Sequence, residues 1–187
     1  MVQALVVIAI ALGFVAILLG RQGLAWWKYR GRRVIVCPEN QLPAGVVVDA
    51  RHAAASSLLG APELCLASCS RWPEHGDCGQ PCLSQIAASP EDCLVRNIVA
   101  RWYEGKACVF CGRPFGAIEW TAARPALLQA NRISVEWSQV AAEKLSETLA
   151  VAQPVCSACH LANKMVREHP ELVADRSSGP KPRAAEK

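Results

Sequence analysis

Cys108-Val-Phe-Cys111-Gly112-Arg113-Pro114-Phe115 and Pro154-Val-Cys156-Ser-Ala-Cys159-His160 are the stretches around which the rest of the chain can be organised. Each carries a Cys-x-x-Cys unit, and together they supply four sulfurs, the number a tetrahedral structural zinc requires. Two thiolates three residues apart chelate one ion when the turn between them is tight. Gly112 permits positive φ directly after the first pair, which frees backbone amides to point at sulfur. Phe110 and Phe115 are expected to pack the outer face of this knuckle. The second pair opens a helix, whose N-terminal dipole stabilises thiolate. That helix is expected to start near Cys159 and end before Pro170. Residues 112–155 between the pairs hold an expected β segment near Ile133–Trp137 and a helix over Val140–Ala150 with Leu145 and Leu149 inward.

The same residues admit a rival. Cys156-Ser-Ala-Cys159-His160 matches the CxxCH attachment motif of a c-type haem, with Cys156, Cys159 and His160 as the binding residues. Haem attachment needs the outer side of a membrane and leaves Cys108 and Cys111 without a role. His52, His75, His169, Met1 and Met165 are the available far axial ligands. Six further cysteines are less regularly spaced. Cys78 and Cys82 lie four apart, one helical turn, and with Cys69 and Cys37 make a second candidate four-sulfur site. Cys93 could take the place of Cys37, whereas Cys65 reads as packing. A 4Fe–4S cluster could use four such sulfurs as well as zinc could.

Compartment decides between thiolate and cystine. Val2–Gly20 carries no charge, and at about 1.5 Å per residue it reaches roughly 28 Å, close to the hydrocarbon thickness of a bilayer. A cleaved signal peptide would need a basic start and a small-x-small site; Met1-Val-Gln and Leu18-Leu-Gly-Arg-Gln22 offer neither. The expected organisation is therefore an anchor at 1–20 and a basic juxtamembrane segment at 21–33. A first cysteine-rich lobe follows at 34–105, a metal-binding lobe at 106–174 and a disordered tail at 175–187. Arg21, Lys28, Arg30, Arg32 and Arg33 follow the span, so the remainder is expected in the cytoplasm, with Trp26, Trp27 and Tyr29 at the interface. Such a compartment keeps thiols reduced, and ten cysteines in 187 residues then read as metal ligands.

The net charge of +4 comes largely from this flank, which weighs against nucleic acid as a partner. Short β segments are expected at Arg33–Cys37, Gly45–Val48 and Leu64–Ala67. Asp49 is placed to cap a helix over Ala50–Leu59. Ser89-Pro90-Glu91-Asp92 reads as the start of a helix running to about Glu104 and stopped by Gly105, with Leu94, Ile98 and Trp102 inward. His52, His75 and His169 are expected at the surface.

Cys69-Ser-Arg-Trp-Pro-Glu74, Trp102-Tyr-Glu-Gly-Lys106 and Cys108-Val-Phe-Cys-Gly112 resemble a group of small, cysteine-rich, membrane-anchored bacterial proteins. That resemblance implies a bacterial inner-membrane location and no particular activity. The frame CxxC followed by Cys156-Ser-Ala-Cys-His-Leu-Ala-Asn-Lys164 is similar to HNH nucleases of the treble-clef type. Between the pairs there is no histidine, and Glu119-Trp120 is the nearest equivalent of the catalytic segment, so only the zinc frame carries over. No nucleotide-binding glycine loop and no nucleophile elbow is present. The expected fold is α+β: one transmembrane helix, then a zinc-ribbon or treble-clef-like domain. The expected role is a membrane-anchored interaction or assembly module, with the bilayer and an unidentified membrane or cytoplasmic protein as partners. The competing class is electron transfer through haem or an iron–sulfur cluster. Trp72, Trp102 and Tyr103 are candidate contact residues.

Overall fold

The first helix, α1, runs without interruption over Val2–Tyr29, in a computed structural model that describes residues 2–58, 60–120 and 124–172. It is long and apolar enough to cross a membrane, and from Val2 to Leu19 its large side chains stand exposed apart from a half-buried Leu18. The helix does not stop where the apolar run stops. Arg21, Ala25 and Tyr29 recur every fourth residue, which aligns them on one face. Ala25 and Tyr29 are buried, α1 packs beside α2 (Ala50–Ser56), and Arg21 Nη2 donates to the Gly60 carbonyl at 3.0 Å.

Gly31, at φ +100°, turns the chain out of α1 into β1 (Arg32–Val36). The last carbonyls of a helix lack partners within it, and here the fully buried Arg33 side chain supplies them. Its Nη1 donates to the Tyr29 carbonyl at 2.6 Å and its Nη2 to the Lys28 carbonyl at 2.6 Å. Arg32 donates to the carbonyls of Ser138 and Val140 at 2.9 and 3.2 Å. Part of the basic segment expected over 21–33 is thus engaged within the protein. Arg21, Arg32 and Arg33 are held by protein carbonyls, because they lie on the side that faces the folded unit. Lys28 and Arg30 stay outward, with the Arg30 guanidinium 3.4 Å from the Trp27 ring centre and 4.7 Å from that of Trp26.

The chain divides into two units, Met1–Glu104 with Ser138–Ala150, and Gly105–Trp137 with Val151–Lys187. In the first, β1, β2 (Pro43–Val48) and β3 (Leu66–Cys69) form an antiparallel sheet in that order. Ala44, Val46 and Val48 alternate inward along β2 and meet Ile35, Leu66, Tyr29 and Ile86. Asp49 caps α2 as expected, accepting from the amides of Arg51 and His52 at 3.0 and 2.9 Å.

The helix expected to start at Ser89 is displaced. Ser89 ends α3 (Leu83–Ala88), and α4 spans Val95–Tyr103. Within the helix the buried stripe is Val95, Val99 and Tyr103, and the expected Ile98 and Trp102 are only partly buried. Leu94 is buried as expected, at the N-cap, where it pairs with Arg33 alongside β1. Tyr103 is buried, Trp72 packs on the core, and Trp102 Nε1 donates to the Leu149 carbonyl at 3.0 Å. Of these three aromatics, then, Tyr103 is a core residue, while Trp72 and Trp102 are partly buried.

Residues 138–150 also belong to the first unit, although sequence order placed them in the 106–174 lobe. The 3₁₀ turn Ala142–Lys144 lies against β2 and leads into α5 (Leu145–Val151), whose Leu145 and Leu149 point inward as expected. Gly45 makes the approach possible, since a Cβ there would sit 2.9 Å from that of Ala142.

In the second unit β4 (Ala126–Leu128) is central, paired antiparallel with β5 (Ser134–Glu136) and β6 (Gln153–Val155). All three residues of β4 are buried. Directly after β6, α6 covers Ser157–Glu168. The tail 175–187 lies outside the described residues.

Candidate metal centre

Local backbone geometry builds the first half of the site. Ala107 pairs with Pro114 across a tight hairpin, Gly112 takes φ +70°, and its amide donates to the Cys108 carbonyl at 2.8 Å. The Cys108 amide donates to the Arg113 carbonyl at 2.9 Å. This closure turns the amides of Phe110 and Cys111 onto the Cys108 sulfur, as the glycine led one to expect. The second half comes from α6, which Cys156 precedes as N-cap, so that Cys159 sits in the first turn. The Val109 amide donates to the Pro154 carbonyl at 3.0 Å, and the Cys156 amide donates to the Cys108 sulfur at 3.3 Å.

The sulfurs of Cys108, Cys111, Cys156 and Cys159 all lie within 4.8 Å of one another. Such a group could hold a metal ion. Cys108 is buried and Cys111 exposed, with the other two between; the Cys111 and Cys156 sulfurs are 3.8 Å apart. Around them the core is small: Ala126, Leu128 and Val155 are buried with Cys108, and Phe115 packs against them. Phe110, expected on the same face, is instead exposed.

Charge is distributed unevenly over the four. Burial pushes the Cys108 thiol up, yet the amides of Cys156, Cys111 and Phe110 outweigh it and bring its pKa down to about 6. Cys159, hydrogen-bonded to the Cys156 sulfur, partly desolvated and close to the charge on Cys108, is pushed up to about 12. The arrangement thus favours the anion at Cys108 and the protonated thiol at Cys159.

His160, which closes the CxxCH motif, has its Nδ1 2.8 Å from Ser134 Oγ, which donates to Asn163 Oδ1 at 2.9 Å. Burial lowers the His160 pKa, which favours the neutral ring. Ser134 is buried and ties β5 to α6. Sequence reasoning missed it, because a serine in a short strand carries no signal distinguishing a buried hub from a solvated face.

The remaining cysteines belong to the first unit. Cys37, Cys69, Cys78 and Cys82 all line one cavity of about 20 Å3. Cys37 follows β1, Cys69 ends β3 and Cys82 precedes α3. Cys78 lies in a segment without regular structure, so the helical-turn relation expected between Cys78 and Cys82 is not what unites them. Cys93 does not line this cavity; its sulfur lies against the Arg33 guanidinium, in the turn that precedes α4. Cys65 is partly buried and also outside it. His52, His75 and His169 are at the surface, each beside a glutamate. No family model, curated protein or solved structure matches this chain.

Proposed function

We propose that this chain is a single-pass membrane protein whose second unit is a treble-clef-like domain closed by one zinc ion on Cys108, Cys111, Cys156 and Cys159. The observation that carries this is the convergence of four sulfurs at the centre of a core otherwise made of a few small side chains. Three short strands and one helix bury too little apolar surface to be stable alone. A structural zinc contributes on the order of 10 kcal/mol or more of folding free energy. Knuckle, three-stranded sheet and a helix bearing the second pair is the succession that a treble clef uses. A tetrathiolate zinc has no open coordination position, so the domain serves as a binding or assembly module and not as a metallohydrolase.

The anchor rests on α1. An exposed apolar surface of this length is costly in water, and lipid relieves the cost. Lys28 and Arg30, with Trp26 and Trp27, follow the apolar run, and this basic flank supports a cytoplasmic position for the folded units beside a bacterial inner membrane. The partner is a protein at or beside that bilayer.

Electron transfer is the rival, through haem on Cys156, Cys159 and His160 or through an iron–sulfur cluster. The facing arrangement of all four sulfurs supports tetrathiolate binding over haem. Anaerobically purified full-length protein should be colourless and contain zinc without stoichiometric iron. A haem absorption band, or iron at cluster stoichiometry with visible charge-transfer bands, would overturn the zinc assignment. Alkaline phosphatase fused at the C-terminus should be inactive; an active fusion reverses the topology.

A further inference from the structure

We infer that Cys37, Cys69, Cys78 and Cys82 form a second thiophilic-metal site in the first unit, built on a copy of the knuckle that carries Cys108. In the knuckle, the amide four residues after Cys108 donates to its carbonyl at 2.8 Å, and the Cys108 amide donates to the carbonyl five residues on at 2.9 Å. At Cys37 the same two bonds recur: Gln41 amide to Cys37 carbonyl at 2.8 Å, and Cys37 amide to Leu42 carbonyl at 2.9 Å. Gln41 adopts φ +57° where the knuckle has Gly112 at φ +70°. A side chain rarely takes that conformation without a compensating gain. The consequence for sulfur is also the same. The amides of Glu39 and Asn40, two and three residues on, bond to the Cys37 sulfur as those of Phe110 and Cys111 bond to Cys108.

A thiol used only for packing attracts no such set of donors. The Cys37 sulfur also accepts from Arg71 Nη1 at 2.9 Å, and Arg71 lies 3.4 Å from Glu39 Oε2. The Cys37 sulfur with its Arg71 partner opens onto a cavity lined by three further sulfurs. Four thiolates around a divalent cation carry a net charge of about −2, and Arg71 is placed to balance part of it. The volume of about 20 Å3 suffices for one ion-sized guest. Among the described residues only the Cys108 group has all its sulfurs within 4.8 Å. Closing the second site therefore draws its ligands inward, and Cys78, between Gly76 and Gly79 outside any helix or strand, is the ligand with the least regular structure to disturb.

The test is zinc content of the anaerobically purified full-length chain, counted for wild type, Cys78→Ser and Cys111→Ser. Two ions per chain are expected for wild type and one for each variant. Wild type with one ion, kept by Cys78→Ser and lost in Cys111→Ser, overturns the second site and leaves the first standing. The reverse pattern removes the first and leaves the second. Should Cys78→Ser not accumulate, alkylation of the wild type with mass-spectrometric readout replaces it. Zinc should protect Cys78 and Cys82, and a chelator should expose them; equal labelling with and without zinc overturns the proposal.

Discussion

Among the four sulfurs of the second unit, Cys108 and Cys159 differ most, and their difference gives metal binding its pH dependence. Without metal, Cys108 at about 6 is ionised near neutrality and Cys159 at about 12 is protonated. Loading an ion must expel the Cys159 proton, so apparent zinc affinity should fall as pH falls. Below about pH 6 protons also compete at Cys108, and the fall steepens. Competition with a chromophoric chelator from about pH 8 to about pH 5 checks this; a flat profile would contradict thiolate ligation. Arg33 is the other decisive residue. Arg33→Ala leaves the terminal carbonyls of α1 buried without donors and should cost on the order of 3 kcal/mol. Arg33→Lys should rescue little, because one ammonium does not reproduce the two-pronged contact to Lys28 and Tyr29. Thermal melting of both variants in detergent reads the loss.

At the scale of elements, β2 passes close against the 3₁₀ turn Ala142–Lys144. Gly45→Ala would set a Cβ 2.9 Å from Ala142 Cβ and 2.8 Å from Glu143 Oε2. The glutamate can swing away, but the alanine is fixed to the backbone. The substitution should destabilise the first unit by about 1–3 kcal/mol in a denaturant titration while leaving zinc content unchanged. The β4 strand of the second unit is buried along its whole length. Its pairing with β6 brings Pro154 and Val155 beside the knuckle. Metal removal should therefore loosen the sheet along with the site. Trp120 and Trp137, ring centres 5.0 Å apart and edge to face, provide the probe: their fluorescence should change on chelation and recover on zinc addition.

At the scale of the whole chain, α1 has two parts with separate tasks. Val2–Gly20 presents exposed apolar side chains, whereas Arg21–Tyr29 contributes Ala25 and Tyr29 to the first unit. Deleting residues 2–20 should release the protein from the membrane fraction with its zinc and melting behaviour intact. Deleting residues 2–31 should destabilise it, since Tyr29 leaves the core and Arg33 loses its acceptors. Sedimentation after alkaline extraction, followed by thermal melting of the soluble fraction, distinguishes the two. Equal melting temperatures would mean that the last turns of α1 are not part of the folded unit.

Local signals alone determined the knuckle with its glycine, the capping role of Asp49, the arrest of α4 before Gly105 and the apolar run that opens α1. Each depends on residues within one or two turns of each other, where spacing and backbone preference already state the answer. That Cys111 and Cys156 would meet followed from chemistry, as paired thiolates need a shared cation. Tertiary structure decided the rest. It set Val95, Val99 and Tyr103 as the buried stripe of α4, and returned residues 138–150 to the first unit beside Gly45. It also made three arginines of the basic segment 21–33 into partners for carbonyls. These outcomes depend on which buried polar groups lack donors and which surfaces fit, and both arise only once distant segments are packed together.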